Sequence, residues 1–306
     1  MYFCRLTIVD MKIIKDSVFG GERPLYAEKS LRLEGVVIEP GESSLKETAD
    51  IHAVKCEFKG KYPFWCTDGF TVEDCIFRPG ARAALWYSKD LVMKDTLVEA
   101  PKMFREMDGA VLERVKITDA KETFWMCRDF TLKDVEVING DYLFINSRKI
   151  RIDGYKHQGN YAFQYTSDVE IRNADIDSKD AFWMTDNVTV RDSSLSGEYL
   201  GWHSKGLTLI NCRISGTQPL CYARDLVLEN CIFDPDADLG FEYSSVHAGI
   251  LSPVTSVKNP RSGRIIADSY GEIIIDKNIK APASCEILTW NNLPESLGKV
   301  SPFTEY

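Results

Sequence analysis

The stretch GERPLYAEKSLRLEGVVIEP (residues 21–40) is followed directly by GESSLKETADIHAVKCEFKG (41–60), and the two align position for position. Each carries a leucine at its fifth place (Leu25, Leu45), an apolar anchor at its eleventh (Leu31, Ile51) and a second apolar residue two further on (Leu33, Ala53). Working outward, the anchor recurs every 19 to 21 residues as Phe70, Leu91, Ala110, Phe130, Ile150, Val169, Val188, Leu207 and Leu226. A fixed period of this length, sustained along the chain, is the signature of a solenoid.

Within each repeat the anchor and the residue two beyond it share the period of a strand with one buried face. Four past the anchor come Gly35, Lys55, Asp74, Asp95, Arg114, Asp134, Gly154, Asn173, Asp192, Asn211 and Asn230, mostly residues that tolerate a left-handed backbone, so the chain is expected to turn there. Inward columns then resume five and seven past the anchor, as at Cys56 and Phe58 or Val135 and Val137. A third apolar column precedes the anchor by six, running Phe64, Leu85, Phe104, Phe124, Phe144, Phe163 and Phe182. Three strands in each coil make a triangular prism with coils about 4.8 Å apart. The expected fold is therefore all-β, a single-stranded right-handed parallel β-helix of about 11–12 coils with a C-terminal capping segment. A left-handed helix needs a strict six-residue repeat, which these drifting lengths violate. The expected division is a disordered leader at 1–11, the helix at 12–277, and a tail at 278–306 packed on it.

The net charge of -9 is spread through the coils, which argues against nucleic acid and anionic membrane as partners. No secretory segment or run of about 18 apolar residues is seen, and the expected location is cytoplasmic. Nine cysteines without paired spacing read as reduced thiols, and no metal or cofactor is expected.

Five of the six tryptophans, Trp65, Trp86, Trp125, Trp183 and Trp202, fall five residues before the anchor. If strand alternation holds, they point outward beside the inward phenylalanines, in a row shared with Arg105 and Gln164. Such a row marks a ligand surface or an interface. One reading is a platform on which an oligosaccharide or polysaccharide stacks, with Arg105, Lys102 and Gln164 as polar clamps. The other is a scaffold or homodimer joined through this face, or a row covered by the tail with Trp290. For chemistry, the best candidates are Asp180 and Glu198, one coil apart, with His203 nearby, since stacked coils could bring two carboxyls to the separation of a retaining glycosidase. The rival expectation is that Glu198 pairs with Lys179 and Asp180 caps a turn.

The segments Tyr-Pro-Phe-Trp (62–65), Glu-Thr-Phe-Trp (122–125), Lys-Asp-Ala-Phe-Trp (179–183), Gly-Glu-Tyr-Leu-Gly-Trp (197–202) and Ser-Val-Lys-Asn-Pro-Arg-Ser-Gly (256–263) resemble a bacterial family of pectin-lyase-like β-helix proteins of unknown function. The resemblance spans most of 12–277. It implies the fold and a bacterial, non-secreted setting, and carries no catalytic residues. The aspartate and histidine motifs of polygalacturonases and the calcium cluster of pectate lyases are missing, so the likeness to polysaccharide enzymes is one of architecture.

Overall fold

The computed structural model describes residues 11–279 and 284–293. The chain forms a right-handed parallel β-helix of about 14 turns. One ladder starts at Lys12–Lys15, passes through Lys29–Glu34, Ala49–Val54 and Asp68–Glu73, and ends at Ser262–Ala267 and Ser284–Thr289, every pairing parallel. The anchors stack in register, as Leu31 on Ile51 and Phe130 on Ile150. The turns exceed the 11–12 expected because the ladder begins before the first anchor and continues beyond Leu226. The stretch expected to cap the solenoid does so by adding turns, and its last rung, Ser284–Thr289, falls within the expected tail. The expected leader lies outside the described residues except for Met11.

A second, shorter ladder follows each corner, as at Glu57–Phe58, Ile76–Phe77 and Leu97–Val98. In three central coils the two ladders fuse into the long strands Arg128–Val137, Arg148–Gln158 and Ser167–Asp177. All eleven residues expected at the corner adopt positive φ, between 47° and 76°. Glycine and asparagine carry little penalty there, and the asparagines also bridge coils, Asn211 Nδ2 donating to Asp192 Oδ1 at 2.8 Å.

The third segment differs from expectation: it is a run of turns, not a strand. Residues eight and four before the anchor take positive φ in coil after coil, as at Tyr161 and Tyr165 or Tyr199 and His203. The positions seven and six before the anchor are buried together, for example Leu143 with Phe144 and Ala162 with Phe163, and the position three before it is buried as well. A strand cannot point such positions to one side, because its side chains alternate. Inward hydroxyls at the third position stitch the turns, with Thr48 Oγ1 donating to Leu45 O at 2.7 Å and Ser204 Oγ to Gly201 O at 2.7 Å. They satisfy carbonyls that a β-ladder would otherwise occupy.

Inside the prism the phenylalanines stack nearly face to face: Phe104–Phe124, Phe124–Phe144, Phe144–Phe163 and Phe163–Phe182 have ring centroids 4.6, 4.4, 4.7 and 5.1 Å apart. Outside, ion pairs join neighbouring coils, as at Lys89–Asp68 (2.9 Å) and Lys116–Glu136 (3.0 Å). Exposed pairs of this kind stabilise little individually but keep like charges from stacking. Glycines let coils approach where the second ladder meets the turn segment: a Cβ at Gly216, where φ is +99°, would lie 2.3 Å from Gly197 O. Gly216→Ala is expected to cost about 2 kcal/mol, read as a lower urea midpoint at unchanged slope. Among the described residues, no helix is long and apolar enough to cross a membrane.

Candidate functional site

The turn segments stack into one long face. Because the chain there turns instead of alternating, the tryptophan row is half-buried and the row one residue later is the one that stands out. Tyr87, Met126, Tyr165 and Met184 in that later row are 43–50% exposed. Each indole of three coils reaches over the next coil and donates Nε1–H to its backbone: Trp86 to Lys102 O (2.6 Å), Trp125 to Tyr142 O, and Trp202 to Gln218 O (2.8 Å). These donors are used within the fold, so the rings offer a ligand their carbon surface.

The row divides into two aromatic blocks. In the first, Trp65 lies 5.3 Å from Trp86, and the Arg105 guanidinium sits between Trp86 and Trp125, 4.3 and 4.6 Å from their ring centres. Arg105 is thus clasped by its neighbours, with its Nε buried and unpaired and Nη2 3.9 Å from Glu122. Glu122 also binds Lys102 at 2.9 Å, so Lys102 is tied to a carboxylate. In the second block Trp183 and Trp202 are 6.2 Å apart, Tyr222 packs on Trp202 (5.2 Å) and on His203 (4.9 Å), and Tyr243 follows at 5.6 Å. Between the blocks Ile145 and Gln164 fill the tryptophan position, flanked by the stacked pair Tyr142–Tyr161 at 4.6 Å.

Asp180 and Glu198 do not share a column. The local coil is 19 residues, as Val188 on Leu207 shows, so Asp180 lies under Tyr199, and Lys179 lies under Glu198. Lys179 Nζ is 3.4 Å from Glu198 Oε2, which raises the lysine above its ordinary value, while Asp180 is 4% exposed and pushed up by burial. Glu198 is exposed and the aspartate buried, so the two carboxyls do not flank a common space. His203 is exposed, stacked against Tyr222 and near Trp183, and makes no hydrogen bond to a carboxylate among the described residues.

Cys127 and Cys221, which outward strand positions would have exposed, are buried, and burial pushes both thiols up to about 12. Their thiolates are therefore disfavoured. Two polar groups that the column reading passed over, Tyr155 and His157, sit inside the prism. Tyr155 Oη and His157 Nδ1 are 3.3 Å apart, and burial lowers His157 to about 4. The signal was present: His157 occupies an inward position that is aliphatic in most coils, and Tyr155 one that otherwise holds only small residues, valine, alanine, cysteine, threonine or serine. Among the described residues, no group of three histidines, cysteines or carboxylates is placed to hold a metal ion.

Solved structures with similar chain paths include PfbA, a surface adhesin of Streptococcus pneumoniae, at 7% identity and TM-score 0.43, covering 94% of this chain and 88% of that one. The catalytic domain of a GH87 alpha-1,3-glucanase in complex with nigerose matches at 10% identity and TM-score 0.36, covering 90% of this chain and 63% of that one. The Azotobacter vinelandii mannuronan C-5 epimerase AlgE4 A-module matches at 10% identity and TM-score 0.30, covering 90% of each chain. No curated protein matches. Residues 12–288, nearly the whole solenoid, match the family described as "Protein of unknown function (DUF3737)", and the chain belongs to that family.

Proposed function

We propose that this chain is a cytoplasmic carbohydrate-binding protein that takes an extended saccharide along its aromatic turn face. The observation that carries the reading is a stripe of exposed Tyr87, Met126, Tyr165 and Met184 over the tryptophans, interrupted by Glu106 and Asn146, that no described segment covers. Apolar stripes of this length on a soluble protein mark contact surfaces. Trp290, the candidate cover, instead donates Nε1–H to Ile250 O at 2.7 Å, at the end of a ladder strand and away from this face. Coils about 4.8 Å apart place successive rings at a spacing comparable with one pyranose unit. The polar groups beside the rings, Gln164, Lys179, Glu198 and His203, suit hydroxyls. The reading is one of binding, since the paired charges leave no acid and base set against each other. A reducing compartment suits the eight unpaired thiols among the described residues, six of them buried.

The exposed methionines, Met126 and Met184, favour one second reading, a scaffold that self-associates through the same face. A thermal-shift and tryptophan-fluorescence screen across oligosaccharides separates the two. Saturable binding of at least one saccharide, weakened about tenfold in Trp202→Ala, is expected for the first. No shift with any saccharide, together with a dimer that Trp183→Ala and Trp202→Ala dissociate, would establish the second.

A further inference from the structure

A different face of the prism carries a charged groove. Where the ladders fuse, a cavity of about 700 Å³ opens on the outer surface of four successive coils, lined by Lys133, Arg151, Asp153, Glu170, Arg172 and Arg191. The strand register fixes their order. Lys133, Asp153, Arg172 and Arg191 stand in one row, and Arg151 beside Glu170 in the next, bounded at its two ends by Thr131 and Thr189.

Four cations thus meet two carboxylates in a chain whose net charge is -9. Arg172 is satisfied by Asp153 at 2.7 Å, and Arg151 faces Glu170 at 3.9 Å. At the ends of the first row, Lys133 lies in register between two acids, Glu113 and Asp153, whereas Arg191 is not balanced in this way. Lys133 is opposite Glu113, which is already held by Arg114 and Lys94. Arg191 has Arg172 in register on one side and Ile210 on the other. Cations also adjoin cations elsewhere on the ladders, with Arg128 between Asp108 and Arg148 and Lys205 between Asp186 and Arg224, and the Arg172–Arg191 pair is set in the wall of the cavity. Two guanidinium groups side by side repel each other unless an anion lies between them.

We propose that this groove binds a compact, doubly charged oxyanion, the phosphate or sulfate group of a small molecule, held between Arg172 and Arg191 with the Lys133 charge acting from two coils away. Guanidinium groups match the geometry of such oxygens with paired hydrogen bonds, and the threonine hydroxyls add donors at the rim. The site is independent of the aromatic face, which lies on the turn segments.

The test is calorimetric titration of the full chain with inorganic sulfate and with inorganic phosphate at constant ionic strength, using wild type, Arg191→Gln, Lys133→Gln and Trp202→Ala. Saturable binding of either anion is expected, weakened about tenfold by Arg191→Gln and less by Lys133→Gln, and unchanged in Trp202→Ala. Binding of both anions supports the class as stated, and binding of phosphate alone narrows it to phosphate esters. The Arg191 and Lys133 side chains are exposed and make no ion pair among the described residues, so these variants fold as wild type, and melting temperatures check the fold of all three. Absence of saturation with both anions, or equal affinity in Arg191→Gln, would overturn the proposal.

Discussion

Replacing Phe144 with alanine is expected to lower the unfolding free energy by about 4 kcal/mol, the largest single effect on this chain. Phe144 sits at the middle of the phenylalanine stack, fully buried, with ring centroids 4.4 Å from Phe124 and 4.7 Å from Phe163. Removing the ring takes away its transfer free energy and leaves a cavity that the stacked neighbours cannot fill, because each is held by its own coil. Phe144→Leu should cost only about 1–2 kcal/mol, since Leu25, Leu45 and Leu85 occupy the same column elsewhere. Urea unfolding followed by circular dichroism measures both. Because each coil contacts mainly its neighbours, hydrogen exchange in the alanine variant should rise first in the coils around Phe144. A loss no greater than that of the exposed Tyr165→Ala would show that the stack does not hold the prism together.

The second large effect depends on pH. His157 is buried, and burial lowers its pKa from 6.5 to about 4 in the folded chain. Asp177 and Asp141 pull in the opposite direction without prevailing. Between those two values the unfolded chain binds a proton that the folded chain does not. Its contribution to stability is therefore fully present above about pH 6.5 and is lost as pH falls through about 4, a total of about 3 kcal/mol. Val137 and Ile176 fill the same column in the adjacent coils, so His157→Leu supplies a side chain of the type the site accepts. The difference in unfolding free energy between wild type and His157→Leu should shift by that amount in favour of the variant between pH 7 and pH 4. A difference that stays constant with pH would mean that the imidazole titrates as it does in water.

The columns and corners of the prism were legible in the sequence because each is enforced by a single physical requirement. Burial admits only apolar side chains at Leu31, Ile51 and their equivalents, and positive φ selects glycine, asparagine and aspartate at the corner. The third segment was read as a strand from the adjacency of Phe and Trp, although the doublets Ala84–Leu85, Leu143–Phe144 and Ala162–Phe163, followed by a buried hydroxyl at Ser88, Ser147 and Thr166, break the period of two. A strand there would hold the tryptophans fully outward, whereas the turns leave them half-buried and expose Tyr87, Tyr165 and Met184 instead. The carboxylate pair shows how narrow the margin is. Asp180 and Glu198 are 18 residues apart in a coil of 19, and one residue of register moves a side chain to a different direction. The polar groove at Arg172 and Arg191 lies on strands whose outward residues follow no apolar pattern, so only the register could assemble it.

The central claim is that the aromatic turn face is a free ligand surface. The most direct measurement is a crystal structure of the full chain grown with the saccharide that gives the largest thermal shift. The account predicts sugar rings lying along Tyr165, Met184 and Tyr222, over Trp183 and Trp202, with Trp202 still bonded through Nε1–H to Gln218 O of the next coil. The same residues buried against a second copy of the chain, with no sugar on the face, would contradict it.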